Sequence, residues 1–301
     1  MAFRSFAPSA GVLDGNHGLG QIVMRAAAER AVTMAKATGA GWVSIKNSSH
    51  CGALAPLGIW LAGRDMVGFV FSHVDPMVLP FGSSEAFCGT NPICIAAPGR
   101  TGRTLCLDIA TSIVPWNIIA NAAQEGVPIP RGWAVDAAGE DTESPKSVAA
   151  LYPFGEHKGS GLGVMADVLC ALLSDSAHGP DVPKMYGDMT EHRRLGGLVG
   201  ALSIEAFTNV SRFGERVEEI MTRLGRLRPA NGATKVLFPG EPELISRAER
   251  LANGIPIGCQ LLAELNSLAD AHGLSRLQPA PSESTLARYF SRTLKRHVYE
   301  Q

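Results

Sequence analysis

Chemistry in this chain starts with His50, set in Ser48-Ser49-His50-Cys51-Gly52-Ala53-Leu54. The run Gly41-Trp42-Val43-Ser44-Ile45 just before it reads as a short buried strand, so the histidine stands where that strand exits into glycine and small residues. A ring at such a place can face a cleft and let a ligand come close. Imidazole, with an unperturbed pKa of about 6.5, is also the side chain that exchanges protons near neutrality. A histidine with no chemistry is the commoner outcome for a lone ring, so the weight rests on its company.

Three further groups supply that company. Gly89-Thr90-Asn91-Pro92 leads into one strand, and Leu107-Asp108-Ile109-Ala110-Thr111-Ser112 leaves the next. Asp108 falls at a strand end directly before a helix, with Thr111 or Ser112 placed as N-cap. Its carboxylate suits ribose hydroxyls or a carboxamide, and it suits helix capping equally. In Pro153-Phe154-Gly155-Glu156-His157-Lys158-Gly159-Ser160-Gly161, glycines and a lysine open a long apolar helix. Free N–H groups and the helix dipole favour an anion there, with Lys158 as counter-charge to a phosphate. The competing reading is that Gly159-Ser160-Gly161 serves only close helix packing. Asp136, in Trp133-Ala134-Val135-Asp136 followed by Gly139, can orient the histidine or a substrate hydroxyl, although Asp-x-x-Gly is also an ordinary turn.

Several chemistries are excluded by pattern. Gly15-Asn16-His17-Gly18-Leu19-Gly20 has the wrong glycine spacing for a dinucleotide fingerprint and no strand before it, so it reads as a loop capping the helix that follows. His50, His73, His157 and His192 make no HxxxH or HExxH pair, so no metal site is expected. Ser49 and Cys51 lack a nucleophile elbow or an oxyanion motif, which argues against a hydrolase.

The elements that must position these residues follow from periodicity. Helices are expected over Ile22–Thr38, Gly52–Arg64, Ile113–Gly126, Lys158–Ser174, Arg212–Arg228, Glu243–Asn253 and Gln260–His272. The helix from Lys158 is apolar nearly all round and is expected to be buried. Strands are expected at 41–45, Met66–Phe71, Pro92–Ala97, Thr104–Ile109 and Gly200–Phe207, with Asp75–Gly82 as a loop. The turn Pro98–Gly102 is too short for a helical crossover, so the strands beside it form an antiparallel hairpin and the sheet is mixed. From Ser275 onward the residues are polar, basic and proline-bearing, and a mobile tail is expected over 275–301.

The chain has 301 residues, 46% of them hydrophobic, ample for a sizeable core of one or two domains. A net charge of -1 offers no field for nucleic acid or an anionic membrane surface. Six scattered cysteines without a CxxC pair read as small buried hydrophobes in a reducing compartment. No apolar run reaches the ~18 residues of a membrane span, so a soluble cytoplasmic protein is expected.

In order along the chain, several segments together resemble the second malate/lactate dehydrogenase family, which includes ureidoglycolate and sulfolactate dehydrogenases and diketogulonate reductase. They are His50-Cys51-Gly52-Ala53, Asp75-Pro76-Met77-Val78-Leu79-Pro80-Phe81-Gly82, Gly89-Thr90-Asn91-Pro92, Asp108-Ile109-Ala110-Thr111-Ser112 and Trp133-Ala134-Val135-Asp136. Lys158-Gly159-Ser160-Gly161-Leu162, Met185-Tyr186-Gly187-Asp188 and Phe238-Pro239-Gly240-Glu241-Pro242 complete the set. The resemblance spans roughly residues 12–272, and the Asp-Pro-Met-Val and Met-Tyr-x-Asp segments look most like ureidoglycolate dehydrogenase.

The resemblance implies a non-Rossmann α/β fold of the sulfolactate dehydrogenase kind: a mixed, largely antiparallel sheet, a central antiparallel hairpin and a helical subdomain. It implies a leading helix-and-strand segment over 1–65, a cofactor-binding domain over 66–235 and a helical segment over 236–274 that packs on the leading segment. It implies NAD or NADP, a small 2-hydroxy or 2-oxo acid substrate and a homodimer. By the same resemblance His50 is the acid/base with Asp136 beside it, and Thr90 and Asn91 meet substrate. Asp108, Ile109, Ala110, Lys158, Gly240, Glu241 and Pro242 meet cofactor.

The chain departs from the family in three places. The helical segment that carries a Ser-His-Gly motif and a substrate-gripping arginine is missing ahead of Met1, a usual Gly-Lys pair is Asn117-Ile118, and a polar residue before Asp75 is Val74. Two readings stay open. One is an active dehydrogenase; the other is an impaired member that binds nucleotide or a partner chain.

Overall fold

The computed structural model describes residues 1–278 apart from Tyr186 and Met189. The expected tail from 279 on, and the tyrosine of the Met-Tyr-x-Asp segment, therefore lie outside the described residues. The chain divides into two units, Met1–Gly240 and Glu241–Gln301.

The first unit is built on a seven-stranded sheet in the order β1-β2-β3-β9-β4-β5-β6. Its strands are β1 (Ala2–Ala7), β2 (Ala10–Asp14), β3 (Ala40–Ser48), β4 (Met66–Ser72), β5 (Ile93–Pro98), β6 (Thr104–Ile109) and β9 (Leu195–Ser203). Only β2 and β3 run parallel, joined by the helix α1 (Gly20–Thr38), because a parallel neighbour needs a crossover. Every other pair is antiparallel, so the mixed and largely antiparallel sheet expected from the Pro98–Gly102 turn is what forms. The β5–β6 hairpin occupies the edge of the sheet rather than its centre, which belongs to β9. A small second sheet pairs β7 (Ala134–Val135) with β8 (Ala150–Leu151).

The core lies between this sheet and two helices. α1 turns Val23, Ala27, Ala28, Ala31 and Ala35 inward, and that small-residue face lets the helix lie close on β3 and β9. α2 (Ala55–Ala62) buries Gly58, Leu61 and Ala62 over β4 and β5. Four more helices follow: α3 (Trp116–Glu125), α4 (His157–Ala171), α5 (Val210–Gly225) and α6 (Glu241–Asn253), the last opening the second unit. α7 (Cys259–Ala271) follows it in that unit. Ser275–Gln278 is not a loose start to a tail: Arg276 grips Asp270 through two bonds of 2.8 and 2.7 Å, and Leu277 N–H donates to Asn266.

Two other expectations change. The last strand begins at Leu195, not Gly200, and 204–206 is a 3-10 turn. Apolar residues and glycines from 195 onward pack on both faces, and such a run has no period by which to locate its start. α4 is buried along one stripe only. Gly159, Gly163, Ala166, Asp167, Cys170 and Ala171 face inward, while Leu162 and Met165 are exposed, as are Leu172 and Leu173 just beyond the helix.

Sheet register decides where the loops go. Ser48 at the end of β3 pairs with Leu195 at the start of β9, and Ser72 at the end of β4 pairs with Gly197. Phe71 pairs with Ile93 at the start of β5, and Ile93 pairs with Ile109 at the end of β6. Asp14 at the end of β2 lies beside Lys46. The segments after β2, β3, β4 and β6, and those before β5 and β9, therefore gather at one end of the sheet.

Candidate active site

His50 occupies that end, two residues past β3, and its side chain is exposed. Its backbone is seated against the start of α1, where a Cβ on Gly20 would strike the carbonyl oxygens of Ser49 and His50; only glycine admits this approach. Nδ1 accepts a 3.2 Å bond from Gly52 N–H, and Nε2 has no partner among the described residues. Partial burial, and then the nearby Arg193 guanidinium, hold the imidazole below its usual 6.5, with Asp75 pulling the other way. These surroundings favour the neutral ring, the form able to accept a proton.

Arg193 and Asp75 come from opposite ends of the gathered loops, one before β9 and one after β4. Nη2 of Arg193 donates to Asp75 Oδ1 at 2.8 Å, and Asp75 Oδ2 accepts Met185 N–H at 3.1 Å. Arg193 Nε and Nη1 are buried and have no partner among the described residues. Unpaired buried donors are rare because each forfeits its hydration, and one beside an ionisable ring needs an explanation. An acceptor brought by a ligand provides one. Sequence reasoning missed Arg193 because the strand that follows it was placed five residues late; a strand read from Leu195 would have put Arg193 at a strand mouth.

The other gathered segments are braced. His73 is fully buried, its Nδ1 3.0 Å from Asp167 Oδ1 and its Nε2 accepting Gly196 N–H at 2.7 Å; Asp167 Oδ2 accepts Gly179 N–H at 2.9 Å. Both ring nitrogens are used, so His73 is a strut tying β4, α4 and β9 together. Asn91 is also fully buried, its Oδ1 accepting Val74 N–H at 3.2 Å and its Nδ2 donating to Gly163 O at 3.0 Å. Fully buried, with one bond at each end of its amide, Asn91 positions loops and presents no exposed atom for the substrate contact expected of it. Thr90 is half-buried, and its carbonyl receives both the N–H and the hydroxyl of Thr111.

Asp108 resolves its two readings toward capping, but of a different helix. Its Oδ2 accepts Leu54 N–H at 2.9 Å and Ala55 N–H at 2.7 Å, closing the start of α2. Free amides and the dipole at a helix start favour this anion. The expected cap residues do not cap α3: Thr111 binds Thr90, Ser112 binds Val114 O, and Pro115 precedes the helix. Asp108 thus fastens the segment just after His50 to the end of β6, where Ile109 and Ala110 are half-buried.

α4 begins on the same framework. Phe154 N–H donates to Thr111 O, and a Cβ on Gly159 would strike Phe154 O, so this glycine does serve close packing. A Cβ on Gly161 meets nothing. Lys158 is exposed on the first turn, with no ion pair among the described residues. A cation at the positive end of a helix is unfavourable by itself, and the site favours an anion beside it. A chain of contacts through Asp108, Thr111 and Gly159 thus links the His50 segment to the start of α4.

Asp136 is placed elsewhere. Its Oδ1 accepts Ala138 N–H and Glu140 N–H within its own turn, and nothing described brings it to His50. Gly240, at φ +90°, lies against Cys106 on β6, and Pro239 O accepts Cys106 N–H. Glu241 and Pro242 form the first turn of α6 in the second unit.

A titratable ring, a guanidinium with two donors unpartnered among the described residues and an exposed ammonium thus gather at one end of the sheet. Residues 2–266 match the malate/L-lactate dehydrogenase family, and the chain belongs to it; it is an oxidoreductase acting on a CH–OH group. It is 33% identical over 250 residues to the ureidoglycolate dehydrogenase (NAD(+)) of Escherichia coli O157:H7, covering 83% of this chain and 72% of that one. It is 34% identical over 281 residues to the malate dehydrogenase of Pyrococcus abyssi, covering 90% and 76%. The sulfolactate dehydrogenase structure from Methanocaldococcus jannaschii superposes with a TM-score of 0.82 at 31% identity, covering 91% of this chain and 79% of that one.

Proposed function

We propose that the chain takes NAD or NADP and exchanges a hydride with a small 2-hydroxy acid or its 2-oxo partner, of the malate, lactate or ureidoglycolate kind. The observation that carries this reading is an exposed His50 in the electrostatic reach of Arg193, whose Nε–H and Nη1–H lack acceptors among the described residues. A 2-hydroxy acid bears its reacting hydroxyl on the carbon next to its carboxylate, so it offers both missing partners side by side. Arg193 holds the carboxylate through charge-assisted bonds. Its donors lie beneath the surface, and reaching them requires the arm to turn about its Asp75 anchor as substrate enters.

On oxidation His50 takes the hydroxyl proton at a ring nitrogen; on reduction it returns it. Such a group contributes about 10²–10⁴-fold. The unpaired Lys158 at the start of α4 fits an anionic cofactor, and the bound nicotinamide supplies hydride acceptance. Thr90, half-buried where the segment before β5 joins the gathered loops, is proposed as a further polar contact for substrate. Six cysteines, none in a disulfide, fit a reducing cytoplasmic setting, and exposed Leu162, Met165, Leu172 and Leu173 fit a second copy of the chain as partner. The described residues contain no helix long and apolar enough to cross a membrane.

The test is absorbance of the reduced nicotinamide during incubation with glyoxylate-like, pyruvate-like and oxaloacetate-like acids. Turnover with one of them, lost in His50→Ala with cofactor binding kept, is the expected result. A flat trace throughout, with cofactor bound, would favour the binding-only reading.

A further inference from the structure

The carboxylate-binding role of Arg193 leaves open what aims it, since one bond to Asp75 fixes one end of the guanidinium only. The adjacent residue, His192, stacks its ring on His17 with centroids 3.8 Å apart and planes 9° from parallel. His17 belongs to the loop after β2, and its N–H donates to Asn47 O at 2.7 Å, near the end of the strand that leads to His50. Two non-glycine residues flanking this contact hold left-handed backbone, His17 at φ 57° and Arg194 at φ 50°. Such conformations cost energy and persist where the surroundings over-determine them. Both rings are exposed, so burial does not account for the stack.

We propose that His17 and His192 form a stacked positioning pair that sets the aim of Arg193 toward the substrate carboxylate beside His50. The inference rests on the dehydrogenase reading only through Arg193. The charged groups around the pair are Asp14 with Lys46 on the His17 side, and Glu191 with the Arg193–Asp75 pair on the His192 side.

The experiment is calorimetric titration of the full chain, with reduced cofactor present, by oxamate, an inert carboxylate. His17→Ala and His192→Ala should each weaken binding by about three- to tenfold, the share of one aromatic pair, while kcat holds. His17→Phe and His192→Phe keep a ring and should stay within about twofold of the parent. In an Arg193→Met background, His192→Ala should add nothing, because the pair acts through that arginine. Alanine variants that bind like the parent, or an unchanged loss in the Arg193→Met background, overturn the inference and leave the carboxylate reading standing. A parent that binds no oxamate overturns both.

Discussion

Two histidines follow neighbouring strands of the same sheet and have opposite fates. His73, after β4, is sealed, and each ring nitrogen has a partner in Asp167 or Gly196. His50, after β3, is exposed, with one ring nitrogen on Gly52 and the other unpartnered among the described residues. The same division separates Asn91, whose amide is fully engaged, from Arg193, whose guanidinium is not. Completed hydrogen bonding marks a strut, because a buried polar group that is satisfied has no capacity left for a ligand. Incomplete bonding at the mouth of the same loops is where, in the function proposed, a ligand finishes the network.

The sharpest way to break this contrast is to delete each ring. His50→Ala should cut turnover by about 10²–10⁴-fold with the melting temperature unchanged, since an exposed side chain contributes little to the fold. His73→Ala should instead destabilise by about 1–3 kcal/mol, seen by thermal melting, because Asp167 Oδ1 and Gly196 N–H are each left buried without their partner. Equal effects on melting would erase the distinction. Lys158→Ala should weaken nicotinamide binding by about tenfold, measured by fluorescence titration, if its unpaired charge serves an anion. Asp108→Ala should cost about 1 kcal/mol of stability through loss of the α2 cap, and Asp108→Asn less.

The smallest expected effect is on pH dependence. Neutral His50 is the form that accepts a proton, and its pKa is held below 6.5 by burial and Arg193. Oxidation should therefore rise with pH through a limb lying below 6.5, and reduction should fall through the same limb. Asp75→Asn removes the one opposing influence and should move the limb lower, as read from kcat/KM profiles. A limb that moves upward would contradict the assigned surroundings.

Much of the frame was legible in local pattern. α1, the β4 strand and the hairpin after Pro92 were readable from periodicity and turn residues, with ends within a few residues of those observed. α4 was readable too, but not its burial, because an apolar helix looks the same whether its outer face meets protein or solvent. The start of β9 was obscured by glycines and apolar residues that lack a period, and Arg193 was lost with it. Asp108 was recognised as a cap or a ligand, but its helix, α2, lies more than fifty residues away in sequence and beyond any local rule.

By itself the sequence determined which residues stand at the ends of strands and helices: His50, Asp75, Thr90, Asp108 and Lys158. Short-range backbone preference and side-chain alternation act over a few residues, and these ends are local facts. Only the tertiary structure decided that those ends meet, because antiparallel register at one end of the sheet is set by pairing across long intervals of chain. It also decided which polar groups are left incomplete, since satisfaction of a buried donor depends on every segment packed around it.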